Sequence, residues 1–523
     1  MKTKTGYLFL VVICVLLFTL GCGSSSTPNA QAPAEGKKSN DLKVALQTTP
    51  PTLDMNKTTA TVTQVIGWHI FENLVTINEK YQVVPMLAEK VEISPDGKTF
   101  TFPLRKGIKF HNGKNLTADD VVATLLRWRK FSTMGRAIGS QAEINAKDSN
   151  TVVITLPKSS SALLPALADP SQGAAIMPKE ILDEAGDENV KKFIGTGPFQ
   201  FVEWKQNQYI QLKKYAEYKA APGPSSGLAG KKEALVDNIF FHFVPDVSTR
   251  VAGLQSGEYD FAESLPTDSY GTLKADSNLS VYVAKPSSYI SMVFNTKSDL
   301  FADIKKRQAV NDAIDSEMIM KAVAGNPEFY ELDHGLVFKE QIWYVDAGKE
   351  KYNQKNPELA QKLLAEAGYK GEPVTIITTR DYEYMYKSAV VIKDQLEKAG
   401  MKVNLEVYDW PTVLSKRANE NLWNIFITGF GITMEPSQTL YLDARFKWAG
   451  WYDSPKMKAL LDEMRGAPNL EQAKKVFEKV QTLYWEDVPA IKFGNLHKFS
   501  AGRKYVKGFQ YFCENHYWNV SVK

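Results

Sequence analysis

Cysteine and histidine are scarce in this chain, and so are unbalanced charge and long apolar runs. The only cysteines are Cys14, Cys22 and Cys513. The first two sit within or at the end of an N-terminal apolar segment, so the body carries one thiol and no intrachain disulfide is expected. No CxxC and no Cys/His spacing suits zinc. The six histidines, at 69, 111, 242, 334, 497 and 516, form no HxxxH or HExxH pattern. No metal or cofactor is therefore expected. Lys and Arg total 63 against 59 Asp and Glu, and no basic stretch is interleaved with aromatics, which argues against nucleic acid as a partner. No GxSxG elbow, phosphate-binding loop or GxGxxG turn is present, so the chain is not expected to be an enzyme. Beyond residue 20 no segment reaches the roughly 20 apolar residues of a membrane span.

The N-terminus is built differently. Lys2 and Lys4 precede an apolar run at 7–20, and Gly21, Cys22 and Gly23 follow at once. This is the layout of a secretory leader. Residues 22–41 are small and polar and cannot repay the cost of ordering, so they are expected to form a flexible tether.

At 523 residues with 44% hydrophobic content, the body is too long for one ordinary core and should divide into lobes. Residues 42–47 alternate like an opening strand, and 61–75 carry helix-like apolar spacing. Residues 91–104, with Ser94-Pro95-Asp96-Gly97 at the tip, predict a hairpin. Thr117 and Asp120 predict a capping box opening a helix through Lys130. Residues 199–204 and 209–212 predict an antiparallel pair, 220–232 a surface loop, and 304–324 a helical region. Residues 374–408 predict a β-α-β unit with its helix stopped at Gly400. An antiparallel-rich first half thus meets an α/β second half and a β-rich tail.

Several segments occur in an order that resembles the bacterial extracellular solute-binding proteins of family 5, the peptide- and nickel-binding class of ABC importers. They include Phe71-Glu72-Asn73-Leu74-Val75, Ser94 to Phe102, Leu104 to Gly113, Gly195-Thr196-Gly197-Pro198-Phe199, Ser256-Gly257-Glu258-Tyr259-Asp260, and Arg307-Gln308-Ala309-Val310 with Ala313-Ile314-Asp315. The resemblance spans residues 42–523. It implies an α/β, two-lobed periplasmic-binding-protein-like fold (class II, cluster C) with a hinged ligand cleft between the lobes. Lobe one would be 42–283 plus 492–523 and lobe two 284–491. It also implies a monomer that captures a small peptide or other small solute outside the cytoplasmic membrane and delivers it to an ABC permease and ATPase complex. Gly21-Cys22 resembles a lipobox, with Thr19 where the family pattern carries Leu. Residues 1–21 would be removed and Cys22 lipidated, anchoring the protein to the membrane on the periplasmic side or the outer cell surface. A nickel-chelate or haem carrier and a sensory receptor subunit remain the alternative readings.

In peptide-binding relatives a loop of the pattern G-W-x-x-D-x-x-x-P carries a carboxylate for the peptide ammonium. The matching stretch here is Gly429, Phe430, Gly431, Ile432 and Thr433, running on to Met434-Glu435-Pro436. It is one residue short, and Thr433 falls near the acid position. Glu435, Asp409 and Asp381 are the substitute acids. Further ligand-binding candidates are Tyr382 and Tyr384, which follow a strand end where α/β sheets present ligand sites, Trp410 after the next strand, and Arg136, whose guanidinium suits a carboxylate. Cys513 is expected to be a small buried apolar side chain.

Overall fold

The structure, a computed structural model, describes residues 40–139, 141–467 and 469–523. The leader, Cys22 and the tether through residue 39 lie outside the described residues. Strand pairing already begins at Asp41, which faces Asn238, one residue inside the expected tether. Among the described residues no helix is long and apolar enough to cross a membrane.

One long mixed sheet runs through the molecule. Its strands are β1 (Asp41–Leu46), β2 (Phe199–Lys205), β3 (Tyr209–Lys214), β4 (Asn238–Phe243), β5 (Phe261–Ala262), β6 (Leu279–Phe294), β7 (Pro373–Thr379), β8 (Lys402–Tyr408), β9 (Ile425–Phe430) and β10 (Ala490–Arg503). Their order is β8-β7-β9-β6-β10-β5-β1-β4-β3-β2, with the short strand Tyr330–Glu331 added to β10. β1 lies parallel to both β4 and β5, so it is covered on two sides, and Leu42, Val44, Ala45 and Leu46 are all buried. β7 is likewise parallel to β8 and β9, because the helix Glu383–Lys398 carries the chain back across the sheet. The expected β-α-β unit is present.

β6 and β10 hold the two lobes together. They pair antiparallel from Leu279↔Arg503 to Ala284↔Lys498, lose register, and resume from Ser288↔Leu496 to Val293↔Ala490. On one side of the irregularity β10 also meets β5; on the other, β6 meets β9. The first core gathers Leu42, Phe71, Phe102, Trp128 and Phe241 with Tyr517, Trp518 and Val520 from the tail. The second lobe packs Ile290, Met292, Val310, Ile376 and Ile392, joined by Phe493 of the crossing strand β10, in one cluster and Trp343, Tyr441, Phe477 and Trp485 in another. A side sheet of four short strands, including the expected hairpin Glu92–Ile93 with Thr99–Pro103, belongs to the first lobe.

Local chemistry explains most boundaries. Thr117 and Asp120 form the expected capping box of Ala118–Phe131. Gly257 closes Val247–Ser256 in the left-handed region at φ 84°, where glycine alone escapes a Cβ penalty.

Three expectations need correction. The helix from Thr61 ends at Gly67, because the backbone of 69–71 is taken by another segment. Phe199 N–H donates to His69 O at 3.0 Å and Gly197 N–H to Ile70 O at 2.9 Å. The region 304–324 is two helices, Ile304–Ala313 and Ser316–Ala324, since Asp315 accepts from Met318 N–H and caps a new start. The 220–232 loop is not all surface. Leu228 and Ala229 are buried, and so is Lys232, whose ammonium lies 4.3 Å from the Trp518 ring centroid.

Candidate functional site

Where the two lobes face each other, a cavity of about 300 Å³ opens beside the crossing strand, at the small end of ligand sites. Ser287 and Tyr289 of β6 form its back. The first lobe supplies Thr59, Thr61, Gln64, Met134, Asp169 to Gln172, Cys513 and Glu514; the second supplies Phe430 to Thr433 and Gln438 to Leu440.

The second-lobe wall is neutral. Phe430 ends β9 and stacks on Tyr289 at 5.3 Å between ring centroids. Gly429, just before it, receives Tyr384 from behind. Gly429 N–H donates to Tyr384 Oη at 3.2 Å, and a Cβ on Gly429 would lie 3.0 Å from that oxygen. Burial pushes the Tyr384 phenol up to about 12, so it stays protonated. Beyond the strand, Ile432 and Met434 pack into the core of the opposite lobe. Gln341 Nε2 donates to Thr433 O at 2.7 Å and fixes the turn. Two polar atoms on this wall have no partner, Gln438 Nε2 and Thr439 Oγ1, although both residues are almost wholly buried.

The first-lobe wall is charged. Asp169 follows the helix Leu163–Ala168, and Pro170 stops that helix from continuing. Its Oδ1 accepts from Ser171 N–H at 2.8 Å, Ser171 Oγ at 2.6 Å and Gln172 N–H at 2.8 Å. Burial nevertheless holds its carboxyl above the ordinary aspartate value. Glu514 pairs with Lys498 at 2.8 Å. Cys513 is a free, buried thiol pushed up by burial and by the nearby carboxylates of Glu514 and Asp169. It is small and buried as expected, but its place at the cavity wall was not foreseen.

Of the residues singled out from the sequence, Phe430, Gly431, Ile432 and Thr433 line the cavity, and Gly429 stands directly behind it. Tyr382, Tyr384 and Trp410 form a separate aromatic group on the second lobe. Tyr382 and Trp410 meet edge to face at 4.9 Å. Arg136 is exposed on the short helix Thr133–Gly139 and donates to Phe131 O at 2.8 Å; Met134, not Arg136, reaches the cavity.

The three substitute acids are engaged elsewhere. Asp409 caps the helix Trp410–Arg417, and Asp381 accepts from Trp410 N–H at 2.7 Å. Glu435 is fully buried, caps the turn at Ser437 and does not line the cavity. Sequence reasoning missed Asp169, Gln172, Gln438, Thr439 and Glu514. The Asp169-Pro170 step between two apolar runs was a turn signal that could have flagged the first pair.

The lobes also meet at the rim. Ser161 N–H donates to Arg465 O at 2.9 Å, Ser161 Oγ to Met464 O at 3.1 Å and Ser159 Oγ to Gly466 O at 3.0 Å. The C-terminal carbonyls of the helix Pro455–Arg465, which have no partners within the helix, are thus satisfied by serines of the other lobe. A neighbouring cavity of about 330 Å³ beyond Met434 carries no charged side chain among its walls. The cavity beside Tyr289 offers the more directional chemistry.

A family model described as bacterial extracellular solute-binding proteins, family 5, matches residues 82–453. A probable peptide ABC transporter periplasmic-binding protein, y4tO of Sinorhizobium fredii, is 28% identical, with 86% of this chain and 88% of that protein covered. The oligopeptide-binding protein AppA of Bacillus subtilis is 27% identical, covering 99% and 98%. Among solved structures, AgaA of A. tumefaciens R10 in complex with agropinic acid superposes with a TM-score of 0.76 at 26% identity, covering 92% of this chain and 99% of that one.

Proposed function

The chain belongs to the family 5 bacterial extracellular solute-binding proteins, and from that premise we propose that it captures a small peptide or peptide-like solute outside the cytoplasmic membrane and hands it to an ABC permease. The observation that carries this reading is the cavity whose walls come from both lobes across the β6–β10 ladder. A solute touching both walls favours the closed arrangement, and the closed arrangement is what a permease can distinguish from the empty protein. Lobe one comprises 42–283 and 492–523, and lobe two 284–491. Phe430, Gly431, Ile432 and Thr433 contact the solute. Gly429 positions that segment through Tyr384, while Tyr382, Trp410 and Arg136, expected from the sequence to bind ligand, do not line this cavity. The protein turns over nothing: its output is occupancy. It works as a monomer held at the membrane by lipid on Cys22, with residues 23–40 as the tether.

Names of relatives support a peptide. The y4tO and AppA proteins are both described as peptide binders and cover most of this chain. Native mass spectrometry of the protein purified from its host tests the reading. A co-purified mass series of short peptides is the expected result. A single non-peptide mass, such as a metal chelate or haem, overturns the peptide assignment. Growth in labelled palmitate, with and without Cys22→Ala, tests the anchor.

A further inference from the structure

The space between the lobes is divided in two. The cavity of about 300 Å³ beside Tyr289 and the cavity of about 330 Å³ beyond it each take walls from both lobes. Three short pieces of structure separate them. On the second lobe, Thr433 stands on the first cavity and Met434 on the second. On the first lobe, the helix Leu163–Ala168 has Leu164 on the second cavity, and Asp169, just past its end, on the first. Tyr81 lines the second cavity and meets the Phe512 ring at 5.0 Å between centroids; the next residue, Cys513, lines the first. The second cavity is mainly apolar, with Val83, Phe100, Ile342 and Trp343 among its walls. Ile93 of the first lobe and Leu470 of the second also stand on it, and both are exposed, so this chamber reaches solvent.

Of the three pieces, only Met434 crosses from one lobe to the other. Among the described residues it is the one buried member of the first-lobe core that comes from the second lobe. Its backbone is held on both sides. Gln341 Nε2 donates to Thr433 O at 2.7 Å, and Glu435 caps the following turn at Ser437. The side chain alone is left to decide whether the two cavities connect. We propose that Met434 sets the length of the captured solute: it stops a guest seated beside Tyr289 at Thr433 and shuts off the apolar chamber beyond. This rests on the capture reading above and adds a size class to it, short guests that end within the first cavity. A longer guest must push Met434 out of the first-lobe core. That burial is one of the contacts joining the lobes, so excess length works against closure. With the side chain shortened, a longer guest carrying an aliphatic or aromatic residue finds an apolar chamber already formed and open to solvent at its far end.

The test offers the protein an equimolar mixture of dipeptides to hexapeptides built from Gly, Ala, Ser, Leu and Phe. Native mass spectrometry reads which lengths are retained by the wild type, by Met434→Ala, and by Met434→Ala combined with Val83→Trp, which refills the second chamber from its first-lobe wall. Ligand-free melting temperatures check folding, and Met434→Val carries the comparison if Met434→Ala does not fold. The wild type is expected to retain dipeptides and tripeptides over pentapeptides and hexapeptides by roughly tenfold or more. Met434→Ala should raise the long-to-short ratio roughly tenfold, with Leu- and Phe-bearing sequences leading. The added tryptophan should bring the ratio back to about the wild-type value. Equal or greater retention of the long peptides by the wild type, or an unchanged ratio in Met434→Ala, overturns the inference and leaves the peptide reading standing. A gain that survives Val83→Trp also overturns it, because the shorter side chain has then loosened the lobes rather than opened the chamber. Retention of no peptide of any length overturns both.

Discussion

Among the described residues, two cation–carboxylate pairs are buried on both partners, one inside the first lobe and one where β10 crosses between the lobes. In the first lobe Arg127 meets Asp54 at 2.6 Å and spends its other donors on the carbonyls of Gly186 and Glu188. At the crossing, Lys492 of β10 meets Asp333 at 2.7 Å and donates to Gly335 O at 2.6 Å. Burial pulls the Asp333 carboxyl up, but Lys492 and the Gly335 and Asn495 bonds bring it below its ordinary value. Neither Arg127 nor Asp54 touches the cavity walls. Lys492 lies 5.1 Å from the ring centroid of Tyr289, which forms the back of the cavity. The first pair is a clamp on a peripheral loop; the second sits under the binding surface. A polar group buried at similar cost thus serves stability within the first lobe and the posture of the site at the crossing.

The comparison breaks or sharpens under mutation. Asp54→Ala and Asp333→Ala should each cost about 3–5 kcal/mol, because an unpaired charge is left buried. At matched fraction folded, only Asp333→Ala should weaken capture of a free-amine tripeptide pool. Urea denaturation with and without that pool reads both quantities. Equal loss of capture in the two variants would erase the distinction drawn here.

Glu263, in the first lobe behind the crossing, tests whether buried charge there is tolerated at all. It accepts from Tyr517 Oη at 2.5 Å, and burial raises its carboxyl from 4.5 to about 7. Between those values the unfolded chain gives up this proton while the folded chain keeps it. Folding stability therefore falls as pH rises through the window, and the loss is complete above the folded value. Glu263→Gln should match the wild type near pH 4 and exceed it at pH 8 by on the order of 3 kcal/mol. Melting curves at the two pH values decide it. Smaller effects mark the periphery. Thr117→Ala removes one half of the capping box and should cost roughly 0.5–2 kcal/mol without changing capture. Ser161→Ala should leave stability nearly unchanged but weaken the closed arrangement by about 1 kcal/mol. Small-angle scattering would show it as a larger radius at subsaturating solute.

What could be read from the sequence was what local chemistry decides. The box at Thr117 and Asp120, the glycine stop at 400 and the β-α-β unit of 374–408 depend on neighbours within a few residues. The end of the first helix at Gly67 did not yield, because it is decided by backbone bonds from 197–199. Lys232 was misplaced for a similar reason: its cover is Trp518, nearly three hundred residues on. The site divides the same way. Phe430 to Thr433 form one continuous stretch at the end of β9, and sequence order alone keeps them together at the cavity. Asp169, Gln438 and Glu514 share a cavity only because three distant segments converge, and no spacing encodes that. Asp409, plausible as an anchor on paper, is consumed by its own helix as an N-cap.

The two-strand crossing also has a consequence for synthesis. The second lobe's clusters draw on residues from about 290 to 493, so that lobe is whole before the chain ends. The first core needs Val506, Phe509, Tyr517, Trp518 and Val520, and β5 has no neighbour on one side until β10 exists. The part of the protein made first is therefore the part finished last. The first core stays incomplete until residues 506–520 are in place, after the second lobe's clusters have all their members.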